Sequence, residues 1–521
     1  MRIALTMLLL LSGHAALAAP LPARAYGEAW TGFTQTAAEQ QIVKRIQALL
    51  GKARPAIQLD PALSRAAREY GAHAAMAAAE GKQLGGATLS EDLWRSGRVD
   101  VDVLPLVIKG GDRPERMDIA TRFVQDTIAG RGYTHFGAGI SGEVATLLFS
   151  RRGVTLRPFP RSLPGGKPVE LPFALGHRLR APEVLMTTAA GKVRRTPMRP
   201  GDRPGEVVAL LSPVDGDGEY TIEILARGPR GPVVGALFPL YFGKPAPALP
   251  RIQLLPVTPP PTPREALQRA AVVLDRARSQ RGLPLLKRDG TLAQIAATRV
   301  QELANEQDLA HASPDGEVLL DRLNRAGLPV GRAAENLAVG PTPEAAARAC
   351  LRSPSHLANL IDERSTHGGL AVTASRSPGG SGQFTLVQLF VELLPEAAGH
   401  LLADKLFHGI NEKRRSAGLK VLQRNEDLDR VALRHCRTMI HEDHFGDELP
   451  DGHSLVDEVG RRTDVRHVAA DLFVTPRIDK ALGSDKLLGA RHEVVGLAVI
   501  QASSPRYGAN LLWMVIVYGR D

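Results

Sequence analysis

A chain of 521 residues with 44% hydrophobic and 23% charged residues is long enough for several packed domains and too apolar to be disordered. With aromatics at only 4%, its cores must rest on Leu, Val, Ile and Ala, and two cysteines, Cys350 and Cys436, exclude a disulfide framework as the main support. The net charge of +10 gathers in residues 153–206, where ten Lys and Arg face four Asp and Glu; this suits a polyanion such as an acidic surface polymer, or simply a solvated basic surface.

The first residues read as a secretory signal over 1–18. Arg2 opens it, an apolar run over 3–11 follows, and Ala16-Leu17-Ala18 is an A-x-A cleavage site. The run is too short to span a bilayer, and no Cys follows the site. The expectation is a secreted or periplasmic protein without a transmembrane segment.

Residues 36–152 form the first of three related stretches. Asp60 is a candidate N-cap with Pro61 at the first helical position, and an Ala-rich helix follows. The stretch ends on THFGAGI (134–140) and a β-rich run over 145–150. His73 and His135 read as structural. Residues 153–242 differ: short β-rich runs such as 206–211 and 220–225, separated by Gly-rich turns, predict a small β-sandwich. Residues 243–263, with Pro259, Pro260 and Pro261, predict an extended, protease-sensitive linker.

The second and third stretches, 264–394 and 400–521, share a match without gaps from residue 275 to residue 292. DRARSQRGL (275–283) lies on NEKRRSAGL (411–419), and RDGTL (288–292) on RNEDL (424–428). A helix follows in each, over 292–304 and 428–439, with apolar residues such as Leu292, Ile295, Ala296 and Val300 at helical spacing. THGGLAV (366–372) and VVGLAVI (494–500) then lead into β-rich runs at 384–393 and 511–518. Each stretch therefore begins with helices and ends with a hairpin, which predicts an α+β fold with helices on both faces of a central antiparallel sheet. Cys350 and Cys436 both fall in helical segments and read as two buried thiols rather than a bridge.

Three motifs single out the middle stretch: HASPDG (311–316), ENLA (335–338) and SPSHLANLI (353–361). In this order and spacing they resemble the bacterial branch of the CAP superfamily, the cysteine-rich secretory and pathogenesis-related proteins. That branch reads H-x-S-P-D-G, G-E-N-I-A and S-P-G-H-R-x-N-I-L. Here Ala334 and Ser355 stand in place of glycines, and Leu357 in place of an arginine. The resemblance implies a CAP-type α/β/α sandwich at 264–394, with degenerate copies at 36–152 and 400–521.

It also implies a cleft lined by His311, Glu335 and His356, with His311 and His356 as ligands of zinc or another divalent metal. The family's second acidic residue has no counterpart in 345–352. From the residues alone, Ser353 is an N-cap and Pro354 the first helical position, so His356 sits in a first turn whose positive end favours a neutral imidazole. The same three residues could equally be structural.

The third stretch offers His441, His444 and Asp451-Gly452-His453 but lacks the second and third motifs. No catalytic nucleophile is legible. The leading expectation is a non-enzymatic exported binder of a lipid-like ligand, a metal or an envelope partner, with nucleic acid disfavoured. The alternatives are a metal-dependent hydrolase of peptide, nucleic acid or cell-envelope polymer, and a surface adhesin that uses the β-sandwich.

Overall fold

The computed structural model describes residues 22–520 apart from 29–32, 51–55, 111–113, 307–308, 329, 376–382, 394–398, 451, 453 and 505. The expected signal at 1–18 lies outside the described residues. Two compact units divide the chain: residues 1–226 with 234–258, and residues 227–233 with 259–521.

The first unit holds a four-stranded sheet in the order Gln58–Leu59, His135–Ser141, Val144–Ser150, Val103–Lys109. The Ala37–Leu50 helix lays Ile42, Val43 and Ile46 against Phe136, Leu147 and Phe149. On the other face the Pro61–Ala79 helix packs Leu63, Ala66 and Ala67 against Leu148. The same unit carries two facing β-sheets of four and five strands, between which Phe173, Tyr220, Ile222 and Phe238 form a core. Strands Glu206–Leu211 and Gly218–Gly228 fall where the turn signals predict them. The predicted linker is not free along its whole length. Leu254–Pro256 pairs antiparallel with Lys82–Leu84, because alternate backbone groups of a short extended segment satisfy an open strand edge.

The second unit contains two more sheets of the same order. In one, Lys287–Arg288, His367–Ser375, Gln383–Leu393 and Val330–Gly340 lie side by side. In the other the order is Gln423–Arg424, Val494–Ser504, Gly508–Arg520 and Arg466–Thr475. The Gly290–Asn305 helix buries Ala296, Val300 and Leu303 against Leu337, Val387 and Leu389. Behind the same sheet, Ala270, Leu274, Ala346 and Ala347 of two helices meet Leu370, Leu386 and Phe390. The last sheet is sandwiched likewise between Glu426–His441 and Gly399–Ser416.

The sheets depart from the expectation in one respect. In all three the two-residue first strand runs parallel to the hairpin and only the other three strands are antiparallel. A strand that feeds a helix returning across the sheet arrives in the parallel sense.

Local chemistry recurs at the strand-to-helix junctions. Asp60, Asp289 and Asn425 each cap the following helix, accepting from the backbone N–H of Leu63, Leu292 and Leu428. Each cap residue also donates its own N–H to the neighbouring strand, at Phe136, Gly368 and Val495. Gly137, Gly369 and Gly496 sit under the first helical turn, where a Cβ would overlap Leu63, Leu292 and Leu428. Arg278 and Arg414, equivalent in the gapless alignment, are both buried and end on backbone carbonyls of the loops beside them. Cys350 and Cys436 are buried free thiols, and burial pushes each up to about 12.

Candidate functional site in the middle domain

His311 follows the Gly290–Asn305 helix on a loop braced from several directions. Ser313 and Gly316 close a tight turn, Gly316 N–H donating to the Ser313 carbonyl at 2.9 Å, with Gly316 at φ +93°, a conformation glycine adopts without strain. Arg299, buried on the inner face of the helix, donates to the Ala310 carbonyl and pairs with Glu302 at 2.9 Å and Glu306 at 3.3 Å. Arg230, from the 227–233 segment of the same unit, donates to the Ala312 carbonyl at 2.8 Å, and Gly231 lies directly against His311. Ser313 and Gly316 belong to the first motif, but Arg299 and Arg230 are named by none of the three. Their only trace in the sequence is an arginine on an otherwise apolar helix face.

Glu335 sits in the middle of a strand. It lies within the Val330–Gly340 strand, opposite Leu389. Strand alternation points it to the face covered by the Gly290–Asn305 helix, and its neighbour Asn336 to the other. Its Oε2 meets His311 Nδ1 at 2.8 Å, with the Glu335 side chain 5% and the His311 side chain 27% exposed. A carboxylate accepts only, so Nδ1 carries the proton and Nε2 keeps its lone pair.

His356 occupies the first turn of Pro354–Leu360, capped as the sequence predicts by Ser353, whose Oγ accepts the His356 N–H at 3.3 Å. Asn336 reaches across and donates Nδ2 to the His356 carbonyl at 3.0 Å, while Asn359 donates to Asn336 Oδ1 at 3.0 Å. Asn336 and Asn359 belong to the second and third motifs, so this tie between the strand and the short helix was readable as residue type but not as contact. Burial pushes His356 down to about 4, and the neighbouring His311 acts in the same direction. Near pH 7 the ring is neutral. The two imidazoles thus differ, one paired to a carboxylate and one uncharged.

Among the described residues no group of three or more His, Cys, Asp or Glu is disposed to hold a metal ion.

Four of the other histidines have ordinary partners. His73 meets Asp92 at 3.1 Å, His135 meets the Thr134 hydroxyl at 2.8 Å, and His444 meets the Glu448 carbonyl at 3.0 Å. His441 is exposed beside Glu442. Asp451 and His453 lie outside the described residues.

Residues 273–390 match the sequence profile of the cysteine-rich secretory protein (CAP) family. This stretch is a CAP domain. It is 30% identical over 119 residues to the uncharacterized protein YkwD of Bacillus subtilis, a match that takes in 22% of this chain and 46% of YkwD. The chain therefore spans about half the length of the curated relative it matches.

Among solved structures, an extracellular protein with an SCP domain from Bacillus anthracis is 19% identical, covering 33% of this chain and 64% of the other at a TM-score of 0.23. An outer surface protein from Borrelia burgdorferi is 20% identical over 26% of this chain and 100% of the other, with a TM-score of 0.23. A cysteine-rich secretory protein from Staphylococcus aureus is 14% identical over 50% of this chain and 84% of the other, with a TM-score of 0.21. The mixed helices and sheets seen here agree with the α+β class and the α/β/α layering expected of a CAP domain. Among the described residues no helix is long and apolar enough to cross a membrane.

Proposed function

We propose that this is an exported, non-enzymatic protein whose CAP domain binds a small ligand at His311, Glu335 and His356. Export rests on the leader-like residues 1–18 and on the extracellular character of the CAP relatives. We read the flanking α/β stretches, 36–152 and 400–521, as copies of the same fold that carry no equivalent of this site. Their shared strand order, caps and glycines support that reading.

The observation that carries the binding reading is the His311–Glu335 pair. It leaves one partly exposed ring with an acceptor nitrogen, beside the neutral ring of His356. Such a pair recognises a ligand's hydroxyl or N–H while the rest of the ligand packs on apolar surface, which suits a lipid-like molecule with a polar end.

The test is equilibrium binding of a fluorescent fatty acid and a fluorescent sterol to the full chain. His311→Phe should weaken binding at least tenfold, since an isosteric apolar ring leaves the ligand's donor unpaired, about 1.4 kcal/mol or more. Equal binding by wild type and variant would remove these residues from the site.

The same pair also favours a second reading, a hydrolase in which Glu335 orients His311 as a general base. Turnover of peptide or envelope polymer, lost in Glu335→Gln with the fold intact, would replace the binding reading with that one.

A further inference from the structure

The Glu426–His441 helix turns Leu428, Val431, Ala432, Cys436 and Met439 into the core of the third sheet. Its opposite side exposes Arg430, Arg434, Arg437 and His441, with Leu433 and Thr438 half-buried among them, and these six make one continuous open face of the helix. The four basic residues stand at i, i+4, i+7 and i+11, a single stripe. At 1.5 Å of rise per residue their steps along the axis are about 6, 4.5 and 6 Å, and the stripe is about 16 Å long.

Little on the surface neutralises its centre. Arg430 is tied to Asp427, and His441 lies 3.8 Å from Glu442, so the two ends are partly paired. Among the described residues neither Arg434 nor Arg437 makes an ion pair. The carboxylate that Arg434 acts on, Glu458 of the adjacent Leu455–Arg462 helix, is already shared by Arg461 at 3.1 Å and Arg462 at 2.7 Å. Three arginines thus divide one charge beside a stripe with two unpaired guanidinium groups.

We propose that this stripe docks an extended, unbranched polyol-phosphate polymer of the cell envelope, with the guanidinium groups on successive phosphodiesters. A guanidinium matches a phosphate with two parallel N–H donors and is weakly hydrated, so several in line give affinity without a deep pocket. The face holds no Phe, Tyr or Trp as a stacking platform and its one ring, His441, stands at the end of the stripe, which disfavours nucleic acid. Its one apolar residue, Leu433, is half-buried, so the face has no apolar side to sink into a bilayer. A line of charge is complementary to a linear polymer. The stripe is separate from the His311 site and does not depend on the reading of that site.

The experiment measures binding of synthetic poly(glycerol phosphate) to the full chain by calorimetry over a series of salt concentrations. Wild type, Arg434→Gln/Arg437→Gln and, as a basic control on the β-sandwich, Arg194→Gln/Arg195→Gln are compared. All four arginines are exposed and glutamine is a good helix former, so folding is preserved, which circular dichroism verifies. The helix variant should bind at least tenfold more weakly, and its slope of log affinity against log salt should fall by about 1.4, or roughly 0.7 for each lost phosphate contact. The control and His311→Phe should bind as wild type.

The proposal is overturned if the helix variant binds as wild type, or if wild type does not bind the polymer. It is also overturned if a single-stranded DNA of equal phosphate number binds more than tenfold tighter, or if anionic phospholipid vesicles bind while the soluble polymer does not.

Discussion

Acidification should loosen the CAP domain through His356. Its ring is held down at about 4 in the folded state against an ordinary value of 6.5, so the unfolded chain takes up the proton first. The contribution to stability is whole above pH 6.5, falls as the pH drops from about 6.5 to about 4, and is constant below that. A difference of 2.5 units corresponds to a ceiling of about 3 kcal/mol, of which about 2 kcal/mol is lost between pH 7 and pH 5. The half-buried ring has some access to water, which lowers these figures rather than raising them.

The domain contains no tryptophan, so its opening is best followed by hydrogen exchange of peptides over 330–361 in the full chain, in buffer with chelator. Wild type and His356→Gln are compared at each pH, which cancels the intrinsic pH dependence of exchange. Gln keeps a polar side chain that does not titrate, so the wild type should lose protection on going from pH 7 to pH 5 by up to about 30-fold more than the variant, the equivalent of about 2 kcal/mol. Parallel pH responses in the two proteins would refute the assignment of the shift to this ring.

Other perturbations test the remaining contacts. Zinc added to the chelator-free chain should give the same weak heat with wild type and His356→Ala; saturable one-to-one binding that the variant loses would show that the rings rearrange into a metal site. Gly369→Val should destabilise the CAP domain by about 1–3 kcal/mol, because the new side chain strikes the first turn at Leu292, and thermal unfolding reads the loss. Asp289→Ala should cost about 1 kcal/mol by removing the cap on the same helix, again read by thermal unfolding. Arg299→Met should leave the helix intact yet raise exchange in the 309–318 loop several-fold, because the Ala310 carbonyl loses its buried donor; unchanged exchange there would mean that the loop is held by Arg230 alone.

The features legible in the sequence are those that depend on neighbours a few positions away. Asp60 and Ser353 announce helix starts because a cap is satisfied by N–H groups two or three residues on. The apolar spacing of Leu292, Ala296 and Val300 declares a helix and its buried face for the same reason. Even the CAP motifs are local strings, which is why the domain was recognisable before its sheet was seen.

Pairings across the chain are another matter. That Glu335 accepts the hydrogen bond of His311 Nδ1, 24 positions away, depends on which face of a strand it occupies and on where a braced loop brings the ring. Nothing in the three motifs names Arg299 or Arg230, since a buried arginine's carbonyl partner is set by packing and leaves no pattern of its own. The parallel sense of the first strands and the seating of Leu254–Pro256 on Lys82–Leu84 were likewise settled in three dimensions. Backbone hydrogen bonds between strands are blind to side-chain identity, so a short segment with little periodicity pairs wherever the fold leaves an edge open.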